Sequence, residues 1–253
     1  MMKRIKLRFH RPKRLRSLHI RNNIPNMITS GNLLCGMLSL ILVVRGHILP
    51  AAWMIPCAVF FDFMDGKVAR AMGVSSDFGV EFDSLGDVVS FGVAPAILVY
   101  SASLQNLPGI TGALAAAFFA LCGALRLARF NVVHMPGPFQ GLPIPAGGLF
   151  LVSFVLSGLI GKVPAWIVAI VTAITGALMI SSIPYGNLQT IKKGCMNKPK
   201  LYGLLTFLFM MLILERGTGM LINIAIYLVS GLVHFDWGKW LSLPEPKESE
   251  QQS

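Results

Sequence analysis

The sequence predicts an all-α polytopic membrane protein, a bundle of about eight transmembrane helices. Three observations carry this. Of 253 residues, 54% are hydrophobic and only 13% charged, a balance that excludes a soluble domain. Uncharged stretches of about 18 residues or more recur along the chain, the length at which a helix crosses a bilayer. The charge is gathered in a basic N-terminal tail and in short links between these stretches.

The tail, residues 1–23, holds nine of the 22 lysines and arginines within its first 21 residues. A net charge of +11 invites a nucleic-acid reading, but no base-stacking module accompanies it, and nucleic acid is not expected as a partner. Cytoplasmic flanks of membrane helices carry an excess of Lys and Arg, which accounts for the tail, and attraction to anionic membrane lipids adds to it. A cleaved leader is not expected, because the apolar run after Asn26 is long and no small-x-small site follows it. Cys35, Cys57, Cys122 and Cys195 lack paired spacing, which supports neither a disulfide framework nor a zinc site.

A first membrane helix is expected from Ile24 to Val44, opening at Pro25-Asn26. Arg45-Gly46-His47 returns the chain into a second, from about Ile48 to Ala69. Ala71 to Ser76, with Gly73 and two serines, reads as a turn. A third helix follows from about Asp77 to Ser103, with Pro95 as a kink. Pro108-Gly109 precedes a fourth, ending near Leu127, because Phe130 to Leu142 is too rich in Pro and Gly to continue it. Pro143 to Ile160 and Pro164 to Ile183 make the fifth and sixth. Lys192, Lys193, Lys198 and Lys200 mark a charged loop before a short seventh helix, Leu201 to Leu214, and an eighth, Gly217 to Phe235. With the N-terminus inside, the outer links hold only Arg45, Lys162 and Arg216, and the other nineteen basic residues fall on the inner side. The N-terminus is therefore expected in the cytoplasm.

The stretch Asp62 to Asp87, DFMDGKVARAMGVSSDFGVEFDSLGD, carries six of the chain's eleven carboxylates. Asp62/Asp65 lie at i,i+3 and Asp83/Asp87 at i,i+4, spacings that share a helix face. Each charge would cost about 2.5–3.5 kcal/mol at a membrane helix centre. A divalent cation between the two pairs makes them tolerable, so they read as a metal site at the cytoplasmic ends of the second and third helices. Asp77 and Glu81 read as solvated or helix-starting acids.

The pattern Asp62-x2-Asp65-Gly66-x2-Ala69-Arg70-x8-Gly79-x3-Asp83-x3-Asp87 resembles, without a mismatch, the signature of the CDP-alcohol phosphatidyltransferases. Eight fixed positions match by chance on the order of 10⁻¹⁰ per starting residue. That family consists of integral membrane enzymes, and the resemblance implies a six-helix catalytic core over residues 24–186. A basic loop and C-terminal helical hairpin (187–235) and a polar tail (236–253) would follow it.

The resemblance further implies that Asp62, Asp65 and Asp83 are metal ligands, and that Asp87 is a ligand serving also as catalytic base. Gly66, Ala69, Arg70 and Gly79 would contact the CDP group. Hard oxygen ligands favour Mg²⁺ or Mn²⁺, and two facing pairs suit two ions. Close helix packing of small residues is the competing explanation for Gly66 and Gly79.

Further runs, IPNMITSGNLLCG at 24–36, DSLGDVVSFGVAPA after the signature, RLARFNV at 126–132 and FQGLPIP at 139–145, resemble the branch of the family whose acceptor is serine. IPYG at 183–186 departs from that branch, which commonly has a second proline after the tyrosine. The branch implies CDP-diacylglycerol and L-serine as substrates and a homodimer; with the split of basic residues, the site is expected at the cytoplasmic face of the bacterial inner membrane. Serine carries a carboxylate, so Arg126, Arg129 and Asn131 are candidates for binding it or a lipid phosphate. The competing explanation for the arginines is snorkelling at a membrane face. The alternatives are a sibling enzyme acting on glycerol 3-phosphate or inositol and, from another class, a divalent-cation transporter.

Overall fold

The computed structural model describes residues 13–73, 76–132, 140–183, 185, 216–233 and 235. Every regular element among them is helical: α1 (Lys13–Val44), α2 (Ile48–Met72), α3 (Asp77–Asp87), a π turn (Val88–Val93), α4 (Ala94–Ala102), α5 (Thr111–Val132), α6 (Ile144–Leu156), α7 (Ala165–Ile180) and α8 (Arg216–Leu232), with short 3-10 turns at Leu104–Asn106 and Leu159–Gly161. Four helices are long and apolar enough to cross a membrane: Ile24–Val44, Ile48–Met72, Asp77–Ala102 and Thr111–Val132. The apolar helices α6, α7 and α8 are shorter. The expected seventh helix, the lysine loop and both tails beyond these ranges lie outside the described residues, and so do Cys195, Pro184 and Gly186.

The rod formed by α3, the π turn and α4 is the centre of the bundle. Its apolar window is 56% buried, against 28% to 33% for the other three long spans. α1 closes against it and against α2 through a stripe of small and polar residues. A Cβ on Gly31 would lie 2.7 Å from the Phe61 ring, and one on Gly36 would overlap Ser90. Ser39 donates to the Ala51 carbonyl at 2.9 Å, and Ser90 to the Asn32 carbonyl at 2.9 Å. Small residues let helix backbones approach in lipid, and hydroxyls then bridge them. The apolar core, with Phe91, Leu98, Phe119, Ile144, Leu151 and Met179 buried, lies behind this stripe.

Pro95 does not break the third rod. A π turn ends two residues before it, and the helix runs on to Ala102. Pro95 has no N–H to give the Phe91 carbonyl. α6 approaches that carbonyl so closely that a Cβ on Gly148 would sit 2.7 Å from it.

α2 runs three residues past its expected end, to Met72, and α7 and α8 stop three short, at Ile180 and Leu232; three further limits differ for identifiable reasons. The expected membrane span Ile24–Val44 is found, but the helix that contains it begins upstream, at Lys13, with Pro25 inside it. One proline removes a single donor, and the Lys, Arg and Leu residues before it are good helix formers. α5 continues past Leu127 to Val132, since the chain meets no glycine or proline before Pro136, so Asn131 sits on the helix. α6 stops at Leu156, where Gly158 (φ 70°) turns the chain, leaving 13 residues instead of the 18 expected over 143–160.

Candidate metal centre

The turn between α2 and α3 sets the register of the acids. Gly73 ends α2 at φ 62°, a left-handed conformation open to glycine, and its N–H closes on the Ala69 and Arg70 carbonyls. Ser76 then caps α3, accepting the Gly79 N–H at 3.1 Å. Asp77, exposed in the first turn, suits the helix dipole.

Across this hairpin Asp62, Asp83 and Asp87 converge, each offering a carboxylate oxygen within 4.8 Å of the others. Asp65 stands beside the triad. It is 5% exposed and faces a cleft lined by α1, α2 and α3. Helix geometry explains the difference: residues at i,i+4 are about 40° apart around the axis, and those at i,i+3 about 60°. Asp83 and Asp87 thus aim at one point, while Asp65 turns from Asp62 toward Thr29 of α1.

Three ionised carboxylates this close repel by about 3 kcal/mol per pair at an effective dielectric of roughly 20. Asp65 Oδ2 and Asp83 Oδ1 are enclosed with no hydrogen-bond partner among the described residues. Converging oxygens with unused lone pairs fit a hard divalent cation.

α1 supplies contacts that the acid pattern does not reveal. Asn32, fully buried, donates its Nδ2 to Asp87 Oδ1 at 3.0 Å. Asn26 and Thr29 line the cleft with Asp65, Gly66, Ala69, Ser76, Gly79 and Asp83. The available signal was an asparagine inside an apolar helix, in the IPNMITSGNLLCG run.

Gly66, Ala69 and Gly79 line the cleft. A Cβ on Gly66 would meet nothing within 4 Å, which rules out close packing as the reason for that glycine. Gly79 is tighter, with Asn26 Oδ1 3.2 Å from the same point. Arg70 is exposed, and its Nε donates to the Gly66 carbonyl at 2.9 Å, one turn back on α2.

The three acceptor candidates separate. Arg126 is partly buried, with its Nε enclosed, close enough to Asp87 and to Tyr227 of α8 for electrostatic interaction. Arg129 is exposed and donates to Gln140 Oε1 at 3.3 Å. Asn131 ties α5 to α3, donating to Ser84 Oγ at 3.1 Å and to Glu81 Oε2 at 3.3 Å. Glu81 thus has a protein partner besides solvent.

The family model described as CDP-alcohol phosphatidyltransferase matches residues 22–174. A Helicobacter pylori protein named CDP-diacylglycerol–serine O-phosphatidyltransferase is 33% identical over 228 residues, covering 87% of this chain and 91% of its own length. A Bacillus subtilis protein of the same name is 42% identical over 165 residues, 65% of this chain and 90% of its own. Archaetidylserine synthase of Methanothermobacter thermautotrophicus is 41% identical over 165 residues, 64% of this chain and 69% of its own.

Proposed function

Because the chain belongs to the CDP-alcohol phosphatidyltransferase family, we propose that it transfers the phosphatidyl group of CDP-diacylglycerol to the hydroxyl of L-serine, giving phosphatidylserine and CMP. The convergence of Asp62, Asp83 and Asp87 is the observation that carries the chemistry. The names of relatives at 33% to 42% identity support serine as the acceptor.

Two Mg²⁺ or Mn²⁺ ions, held by Asp62, Asp65, Asp83 and Asp87, would bind the diphosphate and offset the charge on departing CMP. Asp87 takes the proton of the serine hydroxyl as its oxygen bonds to the β-phosphorus and the bond to CMP breaks. Asn32 holds the Asp87 carboxylate while it does so. The cleft beside Asp65 takes the cytidine nucleotide, with Gly66 and Ala69 leaving room for it, Gly79 closing the far side, and Arg70 reaching a phosphate oxygen. Displacement is direct, the four carboxylates being engaged as metal ligands and base and so not free to attack phosphorus.

The site lies at the cytoplasmic face of the membrane, as the split of basic residues between inner and outer links supports. The working unit is a homodimer on family resemblance. The core spans residues 24–186, with the C-terminal helices appended to it.

The test is CMP release by the purified protein from CDP-diacylglycerol with L-serine, glycerol 3-phosphate or inositol. Release that requires both L-serine and Mg²⁺ or Mn²⁺ is expected. Release with another of these alcohols in place of serine would assign a sibling activity, and none with any would remove the transferase reading.

A further inference from the structure

The transferase reading leaves one group of polar side chains unused. Arg126 of α5 has its Nε enclosed, and Tyr185 is 2% exposed with its hydroxyl enclosed. Neither atom has a hydrogen-bond partner among the described residues. Tyr227 of α8 neighbours both, its ring centroid 5.6 Å from that of Tyr185 and its hydroxyl end within electrostatic reach of Arg126. The arrangement is built by α8. One turn beyond Tyr227, Gly231 leaves the space that the Tyr185 ring fills, and a Cβ there would overlap that ring. Arg126 also lies within electrostatic reach of Asp87.

We infer that Arg126, Tyr185 and Tyr227 form the seat for the carboxylate of the amino-acid acceptor, so that α8, outside the matched residues 22–174, completes the site. The inference rests on the transferase reading above.

An enclosed guanidinium N–H and an enclosed phenol hydroxyl without acceptors, those of Arg126 and Tyr185, are costly, and a carboxylate is an acceptor-only anion that satisfies them. The charge is complementary, and bonds from Arg to carboxylate are the stronger kind. The seat also has the right neighbour. In serine the hydroxyl oxygen and the carboxylate carbon are three bonds apart. An acceptor anchored at Arg126 therefore presents its hydroxyl toward Asp87. Ethanolamine and inositol lack the carboxylate and gain nothing from the seat.

The experiment is steady-state kinetics on the full chain in detergent with Mn²⁺, comparing the unaltered enzyme with Tyr227→Phe and Tyr185→Phe, which remove one oxygen each. KM for L-serine should rise roughly tenfold in Tyr227→Phe, with kcat and the KM for CDP-diacylglycerol little changed. The unaltered enzyme should use L-serine methyl ester far less well than L-serine, and Tyr227→Phe should narrow that gap.

An unchanged serine KM in both variants would overturn the inference. So would a rise in the CDP-diacylglycerol KM alone, which would assign the cluster to a donor phosphate. Equal use of serine and its methyl ester by the unaltered enzyme overturns it without reference to any variant. Absence of serine-dependent CMP release from the unaltered enzyme is a different result, and it would remove the transferase reading together with the seat.

Discussion

Asn32 donates its side-chain N–H to Asp87 at 3.0 Å, joining the first helix to the last acid of the signature. The bond is buried, and the Asn32 carbonyl is itself held by Ser90, one turn below Asp87. A carboxylate fixed in this way presents its remaining lone pairs in one direction.

Partners of a metal ligand are worth about 10- to 100-fold in metal affinity or activity when removed. Asn32→Ala should therefore raise the Mn²⁺ concentration needed for half-maximal CMP release by about that factor. Metal titrations of both proteins check this, and an unchanged requirement would show that Asn32 only packs.

Gly66 separates room for a ligand from room for a helix. Nothing lies within 4 Å of a Cβ there, so Gly66→Leu should leave the thermal midpoint unchanged or higher, leucine being the better helix former. Crowding the cleft by roughly 1–3 kcal/mol would raise the KM for CDP-diacylglycerol about five- to 150-fold. A variant with normal stability and normal KM would place the nucleotide elsewhere.

Arg126 and Arg129 are three residues apart but differ in surroundings. Arg126→Ala should raise the apparent serine KM roughly 10- to 150-fold, the worth of a hydrogen bond to a charged group. Arg129→Ala, whose side chain is exposed and bonded to Gln140, should raise it less. Serine saturation curves for the two variants decide the order.

Much of the site is legible in the sequence because its acids are local. Asp62, Asp65, Asp83 and Asp87 fall within 26 residues on two helices joined by a short turn, and helical spacing sets which way each points. The offset of Asp65 from the triad follows from the same geometry, but only once Thr29 is seen to take its side of the helix. The contacts of α1 and α8 are different in kind. Asn32 and Asp87 are 55 residues apart, and an asparagine in an apolar helix does not announce its partner. Tyr227 lies a hundred residues beyond Arg126 and outside any motif. The membrane span from Ile24 is legible in its apolar run, but the helix continues upstream of Pro25 because the flanking residues carry it through.

The account stands on Asp62, Asp83 and Asp87 gripping a divalent cation, and Mn²⁺ binding to Asp83→Asn tests that most directly. Added Mn²⁺ should raise the thermal midpoint of the chelator-treated unaltered protein, since a ligand at 100 times its dissociation constant stabilises by about 2.7 kcal/mol. It should also restore CMP release. In Asp83→Asn both responses are expected to disappear. A variant that still gains stability from Mn²⁺ and still turns over would contradict the assignment of these carboxylates as the metal centre.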